Sequence, residues 1–312
     1  MNIHTSNTRT VKSLSAALFL MIFVFSVQLQ PAAAQAIAYS SPDLGIPVEY
    51  QIGGFAVGTQ AYTFNRFTVF EAIEKTAEAG GKVIELYPGQ RLKPGDDTPF
   101  NQNVSDDVID EVLQKLDEHG LKVVNFGVVG LPDAEEARKV FEFAQKLGVP
   151  AITSNPNTPE EMDFIEPLVQ EFDIMMAIHN HPRPEDEDSD YRIWDPYHVA
   201  GLVAGRDYRL GACADTGHWV RSGISPVDAL QTLEGRVISL HLKDVDVRSR
   251  EAEDVVFGTG VGNVAGVLEE LKRQNFAGHI SIEYESNWYE NVPEVAQNVG
   301  FIRGWAEAYE GN

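Results

Sequence analysis

The sequence predicts an α/β protein of the closed (β/α)8 barrel class, formed by residues 35–312 as a single domain behind a signal peptide. Three observations carry that prediction. Eight short apolar runs of strand length recur along the chain. Helical patterns with recognisable starts and stops fill most of the gaps, as parallel strands with helical crossovers require. Each strand–helix unit takes roughly 30 residues, and eight units in this length favour closure over an open sheet.

The elements follow in order. Met1–Lys12 is polar, with Arg9 and Lys12 and no acid. Leu14–Val27 is almost wholly apolar, and Ala32–Ala34 offers small residues for cleavage. That three-part layout predicts a signal peptide over residues 1–34. Its apolar core falls short of the roughly 20 residues of a membrane span, and no other stretch is long enough. The expected location is therefore periplasmic or secreted, without stable membrane insertion.

The strand runs are Gly54–Thr59, Lys82–Leu86, Lys122–Phe126, Ala151–Ser154, Ile174–His179, Arg209–Asp215, Val237–His241 and His279–Tyr284. Helical patterns at Phe70–Ala79, Asp106–His119 and Glu135–Leu147 each stop at a glycine: Gly80, Gly120 and Gly148. Glycine takes the left-handed conformation that ends a helix. Thr158-Pro159-Glu160-Glu161 and Ser225-Pro226-Val227-Asp228 read as helix starts, with a hydroxyl cap, a first-turn proline and an acid three residues on. Asp195-Pro196 opens another helix, and Val264–Gln274 and Pro293–Tyr309 are the last two. Gly258-Thr259-Gly260-Val261-Gly262 lacks the dinucleotide-binding pattern and reads as a turn. Glu185–Asp190 reads as a solvated acidic loop.

The net charge is −23. The first 34 residues remove two of the 24 basic residues and none of the 47 acidic ones, which leaves −25 for residues 35–312. So acidic a surface repels phosphate backbones and argues against a nucleic-acid partner. Cys213 is the only cysteine, so no intrachain disulfide forms, and it reads as a small residue filling a strand.

In a barrel of this kind the chemistry sits at the carboxyl ends of the strands. Strand five ends in His179, strand six in Asp215, strand seven in His241, and strand eight carries Glu283. Four consecutive strands each deliver a metal-ligating side chain at one level, and buried charge is costly unless paired or metal-bound. Two imidazoles and two carboxylates suit one divalent ion, Mn²⁺ first, with Co²⁺, Zn²⁺ and Fe²⁺ also accommodated. Side chains alternate along a strand, so Lys243 leans with His241 and Glu285 with Glu283. His218 and Arg221 follow Asp215 on what reads as a loop. Glu85, at the end of strand two, is expected to face the same mouth, and Tyr62, Phe64 and Trp288 to form flat walls for sugar rings.

The segments "DTGHW", "HLKD" and "SIEYE", in that order and at these spacings, resemble the xylose isomerase-like TIM barrels of the sugar isomerase/epimerase superfamily. That group includes ketose 3-epimerases, hydroxypyruvate isomerase, inosose dehydratase and the endonuclease IV class. The resemblance covers essentially all of residues 35–312. It implies a metal held by Asp215, His241 and Glu283, with His218 contacting a substrate oxygen and Glu283 acting as both ligand and acid/base. One position departs. The ketose epimerases end strand five with a glutamate, in a pattern like L-E-N-H. Here His179 stands in that place, with Asn180 and His181 keeping the rest. The epimerases exchange a proton between two metal-bound glutamates, one on each face of the sugar. Histidine keeps the ligand but breaks that symmetry.

The expected chemistry is proton abstraction beside a carbonyl, with the metal as Lewis acid and a tuned base. Export points away from sugar phosphates, and no phosphate-binding loop is read. The expected substrate is a small sugar or glycoside, and the expected reaction is elimination of the C1 substituent of a 3-keto-glycoside. Glu283, His181 or His218 would be the base, Lys243 would bind or protonate an oxygen, and Asn180 would contact the substrate. Isomerisation or epimerisation of a free keto-sugar is the alternative, and a non-catalytic sugar-binding barrel a second. The charge and the leader both argue against a repair endonuclease. Homo-oligomerisation is left open.

Overall fold

The computed structural model of the protein describes residues 41–311. The signal peptide expected over residues 1–34 lies outside them. Eight parallel strands form the wall: β1 (Phe55–Gln60), β2 (Val83–Leu86), β3 (Lys122–Phe126), β4 (Ala151–Ser154), β5 (Met175–His179), β6 (Leu210–Asp215), β7 (Val237–Leu242) and β8 (His279–Ile282). Each strand pairs with its neighbours in sequence, β8 pairs with β1, and the sheet closes on itself as a TIM barrel. Every expected run is a strand, with ends moved by one or two residues.

The helices are α1 (Val69–Glu78), α2 (Asp106–Glu118), α3 (Ala134–Leu147), α4 (Pro159–Phe172), α5 (Pro196–Val203), α6 (Thr216–Arg221), α7 (Pro226–Thr232), α8 (Val264–Arg273) and α9 (Val292–Glu310). Their starts follow from local chemistry. Thr68 and Glu71 close a capping box on α1, and Thr158 and Glu161 close one on α4. Each satisfies N–H groups that the first turn leaves free. Gly148 ends α3 in the left-handed region, at φ 74°. No helix among the described residues is long and apolar enough to cross a membrane.

Three features were not expected. Gln90–Lys93 and Asp96–Phe100 form an antiparallel hairpin between β2 and α2. Asp244–Val245 and Asp254–Val255 form a shorter pair after β7. The segment after Asp215, read as a loop, is the helix α6. Asp215 caps it by accepting from His218 N at 2.7 Å, so one residue ends a strand and starts a helix.

The barrel is filled in layers. At the end where the strands begin, Leu44 and Ile46 pack with Val83, Ala177, Cys213 and Ile238 as a plug. Cys213 is a fully buried small residue there. Higher along the axis the filling turns polar, with Asn125, Thr153, His279 and Ser281 all buried. Burying polar groups is tolerated only when they are hydrogen-bonded, and these bond mainly to one another.

The glycine-rich turn has a structural partner. Gly258 N, Gly260 N and Gly262 N all donate to the carboxylate of Asp244, at 2.9, 3.1 and 2.8 Å. A Cβ on Gly260 would lie 2.5 Å from Asp244 Oδ1, and one on Gly262 2.8 Å from the same atom. The repeated glycine therefore lets backbone wrap an acid. Asp244→Ala strands these donors, and unfolding in urea should show a loss of on the order of 3 kcal/mol.

Candidate metal and sugar site

The site stands where β5 to β8 end. His179 is the last residue of β5, Asp215 the last of β6, His241 lies near the end of β7, and Glu283 directly follows β8. One ligand atom from each lies within 4.8 Å of the others. All four residues are buried. Asp215 divides its carboxylate: Oδ1 caps α6, and Oδ2 faces His179 Nε2 at 3.5 Å. Asn180 holds the Asp215 backbone from both sides, donating to its carbonyl and accepting from its N–H, each at 2.9 Å.

The donor set fits a divalent cation. His179 Nδ1 and Nε2, Asp215 Oδ2 and His241 Nδ1 are buried and make no well-formed hydrogen bond among the described residues. Oδ2 has ion-pair contacts with Lys243 Nζ at 3.0 Å and with His179 Nε2 and His218 Nε2 at 3.5 Å. Orphaned buried donors and acceptors of this kind are rare, and here they fall on three of the four clustered residues, His179, Asp215 and His241, as a metal site would leave them. Two imidazoles with two carboxylates match Mn²⁺, Fe²⁺, Co²⁺ or Zn²⁺ chemistry.

The electrostatics are tightly balanced. Lys243 is fully buried and reaches Asp215 at 3.0 Å, Glu283 at 2.8 Å, and Glu285. Burial pushes its ammonium down, but Asp215, Glu283 and Glu285 outweigh that and hold it well above the usual lysine range. Burial raises Asp215, yet His218, Lys243 and His179 keep its carboxyl well below the usual range. Glu283 is likewise lowered against burial by Lys243 and His241. His241 lies 3.2 Å from Glu283 through Nδ1 and 3.1 Å from Glu85 through Nε2. Burial and the neighbouring His179 depress His181 to about 4, so its imidazole is neutral near pH 7.

A cavity of about 520 Å³ opens over these groups. His179, His181, His218, Glu283 and Glu285 line its polar side, and Gln60, Tyr62, Tyr87, Pro88 and Val128 line the rest. Tyr62 is 41% exposed and meets Tyr87 edge-on at 5.3 Å between ring centres. Tyr191, from the loop after β5, places its hydroxyl 3.0 Å from both His181 N and His181 Nδ1.

Several expected contacts are corrected. Glu85, expected at the mouth, is fully buried beneath His241. Phe64 is fully buried in the core. Trp288 stands one ring back, edge-on to Tyr62 at 6.1 Å. Asn180 clamps backbone instead of facing the cavity. Arg221 lies on helix α6 and bonds Asp254 at 2.5 Å and the Ala252 carbonyl. Lys243, expected at a substrate oxygen, is held by three carboxylates behind the cavity. Gln60, Tyr87, Val128 and Tyr191 went unnoticed in the sequence. Tyr191 had no local signal, since only the folded loop brings it to His181.

A family model for the xylose isomerase-like TIM barrel matches residues 73–305. The chain belongs to that family. No curated protein sequence matches it significantly. The solved structure of an uncharacterized protein from Parabacteroides distasonis is 34% identical, covering 80% of this chain and 99% of its own, with a TM-score of 0.65. Other members of the fold are further away. A D-tagatose 3-epimerase-like protein is 17% identical over 82% of this chain and 98% of its own, at a TM-score of 0.64. The probable 3-DHS dehydratase AsbF from Bacillus anthracis is 14% identical over 78% and 97%, at 0.59. At such identities the likeness is one of fold.

Proposed function

We propose that the protein is a divalent-metal-dependent sugar enzyme that removes the proton beside the carbonyl of a 3-keto-glycoside and eliminates its C1 substituent. The observation that carries this reading is the one-sided charge of the cavity. Its lining carboxylates, Glu283 and Glu285, both come from the segment after β8, while His179, His181 and His218 come from β5, the loop after it and α6. Proton exchange between two carboxylates, one on each face of a sugar, lacks its second partner here. Elimination needs one base. The cavity size supports a glycoside over a free sugar: one hexose displaces six or seven waters, about 200 Å³, which leaves room for an aglycone beside Tyr62 and Tyr87.

When bound, a divalent cation polarises the carbonyl and stabilises the charge that develops as the proton leaves. His179, Asp215, His241 and Glu283 would hold it. Glu283 Oε2 is engaged by Lys243, which leaves Oε1 for the C2 proton. The freed electron pair forms the C1–C2 double bond as the C1–O bond breaks. The proton taken by Glu283 leaves with the aglycone oxygen, so the base is regenerated. The Tyr191 hydroxyl accepts from His181 N and gives its own proton to Nδ1, so Nε2–H donates to the departing oxygen. The reading includes export by a leader at residues 1–34, to where glycosides are met.

Proton NMR in D₂O tests it. The protein is stripped with chelator, reloaded with Mn²⁺, diluted to limit broadening, and given a 3-keto-glucoside or a free ketohexose. Metal-dependent release of the aglycone is expected. Deuterium and a new epimer or aldose from the ketohexose, with the glycoside intact, would replace elimination by isomerase chemistry. Sugar binding unaffected by chelator, with no turnover, would leave a binding protein. Tyr191→Phe should lower kcat by up to about tenfold, the worth of one hydrogen bond, with metal affinity unchanged.

A further inference from the structure

Glu85 is an ionisable residue that the reaction above leaves unused. It sits on β2, across the barrel from the ligand strands, with no solvent exposure. A carboxylate there costs several kcal/mol unless something gathers around it. What gathers is a one-way chain of hydrogen bonds. Asn125 Nδ2 lies 2.9 Å from His279 Nε2 and donates to it. That puts the His279 proton on Nδ1, 3.1 Å from Ser281 Oγ. Ser281 then gives its own proton to Glu85 Oε2 at 2.8 Å. The same oxygen lies 3.1 Å from His241 Nε2. With Asn125 Nδ2 as the first donor, the chain runs one way and ends on Glu85, which is left to act as an acceptor.

We propose that Glu85 is a positioning residue for the metal: by accepting from His241 Nε2–H it fixes the ring so that Nδ1 is the ligand atom. The opposite ring atom supports this. His241 Nδ1 is buried without a well-formed hydrogen bond and lies 3.2 Å from Glu283. A ring free to turn could present Nε2 instead, or swing away from the other three ligands. Carboxylate partners on the far nitrogen of a metal-bound histidine fix its orientation and raise its basicity. Ser281, His279 and Asn125 would in turn fix Glu85. The inference rests on the metal tetrad of the proposed function but not on the reaction assigned to it.

The test uses zinc and the full chain. Zinc affinity is measured by chelator competition for wild type, Glu85→Gln, Glu85→Leu and His241→Ala. Long-range ¹H–¹⁵N spectra of the zinc-loaded proteins report which nitrogen of His241 carries the proton. Wild type should show a slowly exchanging Nε2–H. Glu85→Leu should lose that signal and about 100-fold in affinity, and Glu85→Gln should keep the signal and lose about tenfold. Should Glu85→Leu fail to fold, Glu85→Gln carries the test, since an amide oxygen still accepts the bond. Wild-type affinity in both variants overturns the proposal, as does a wild-type spectrum with the proton on Nδ1. If wild type binds zinc no better than His241→Ala, the metal reading itself falls, and this inference with it.

Discussion

Asp215→Asn should fold, keep helix α6, and lose the metal. The two oxygens of Asp215 have separate tasks, and asparagine replaces only one of them. Its side-chain oxygen can still accept from His218 N, because asparagine caps helices about as well as aspartate. The atom facing His179 becomes an uncharged amide nitrogen, which cannot ligate a cation. Asn180 still holds the residue through its backbone, so the change stays local. Metal content should fall below about a tenth of wild type. Lewis-acid stabilisation is worth several kcal/mol, which at 1.36 kcal/mol per decade places the loss of turnover between about 10² and 10⁴. Elemental analysis, turnover and a melting curve on the same sample check this. Full metal occupancy in the variant would remove Asp215 from the ligand set.

His179→Glu should change the reaction more than the binding. Glutamate ligates divalent cations, so metal content should stay near wild type. His179 and Glu283 line one cavity, from the end of β5 and from the segment after β8, so the new carboxylate would stand on the other side of the cavity from Glu283. That restores the two-sided pair suited to epimerisation. Aglycone release should fall, because a second carboxylate beside the reacting carbons competes for the proton that Glu283 returns to the aglycone, and deuterium should begin to enter a free ketohexose. His179→Ala is the companion variant, expected to lose metal. A glutamate variant that still cleaves the glycoside at the wild-type rate would sink the assigned role of His179.

The fold was legible because its strands are continuous apolar runs, and closure follows from their number. The site was partly legible for the same reason. Candidate ligands at the ends of four successive strands are visible once the strands are placed. Depth was not. Alternation along β2 shows that Glu85 points inward with Val83, but not that strand tilt sets it under His241 and away from the mouth. Lys243 leans toward Glu283 as alternation requires, yet its burial depends on three carboxylates from β6 and the segment after β8. The hairpin at 90–100 was hidden by its charge and Pro99, which erase the apolar pattern of a strand. Helix α6 was hidden because its cap, Asp215, already belonged to the preceding strand.

The ammonium of Lys243 among Asp215, Glu283 and Glu285 has a consequence for how the protein matures. The barrel carries part of its own counter-charge, so the repulsion among its acids is eased before any ion arrives. Folding and loading are then separate events. A chelator should empty the centre without melting the domain, and the same molecules should regain turnover when an ion is returned. That contrasts with small zinc domains, where metal and fold are gained or lost together. Which ion the centre would take up would then be decided by its surroundings at the time of loading.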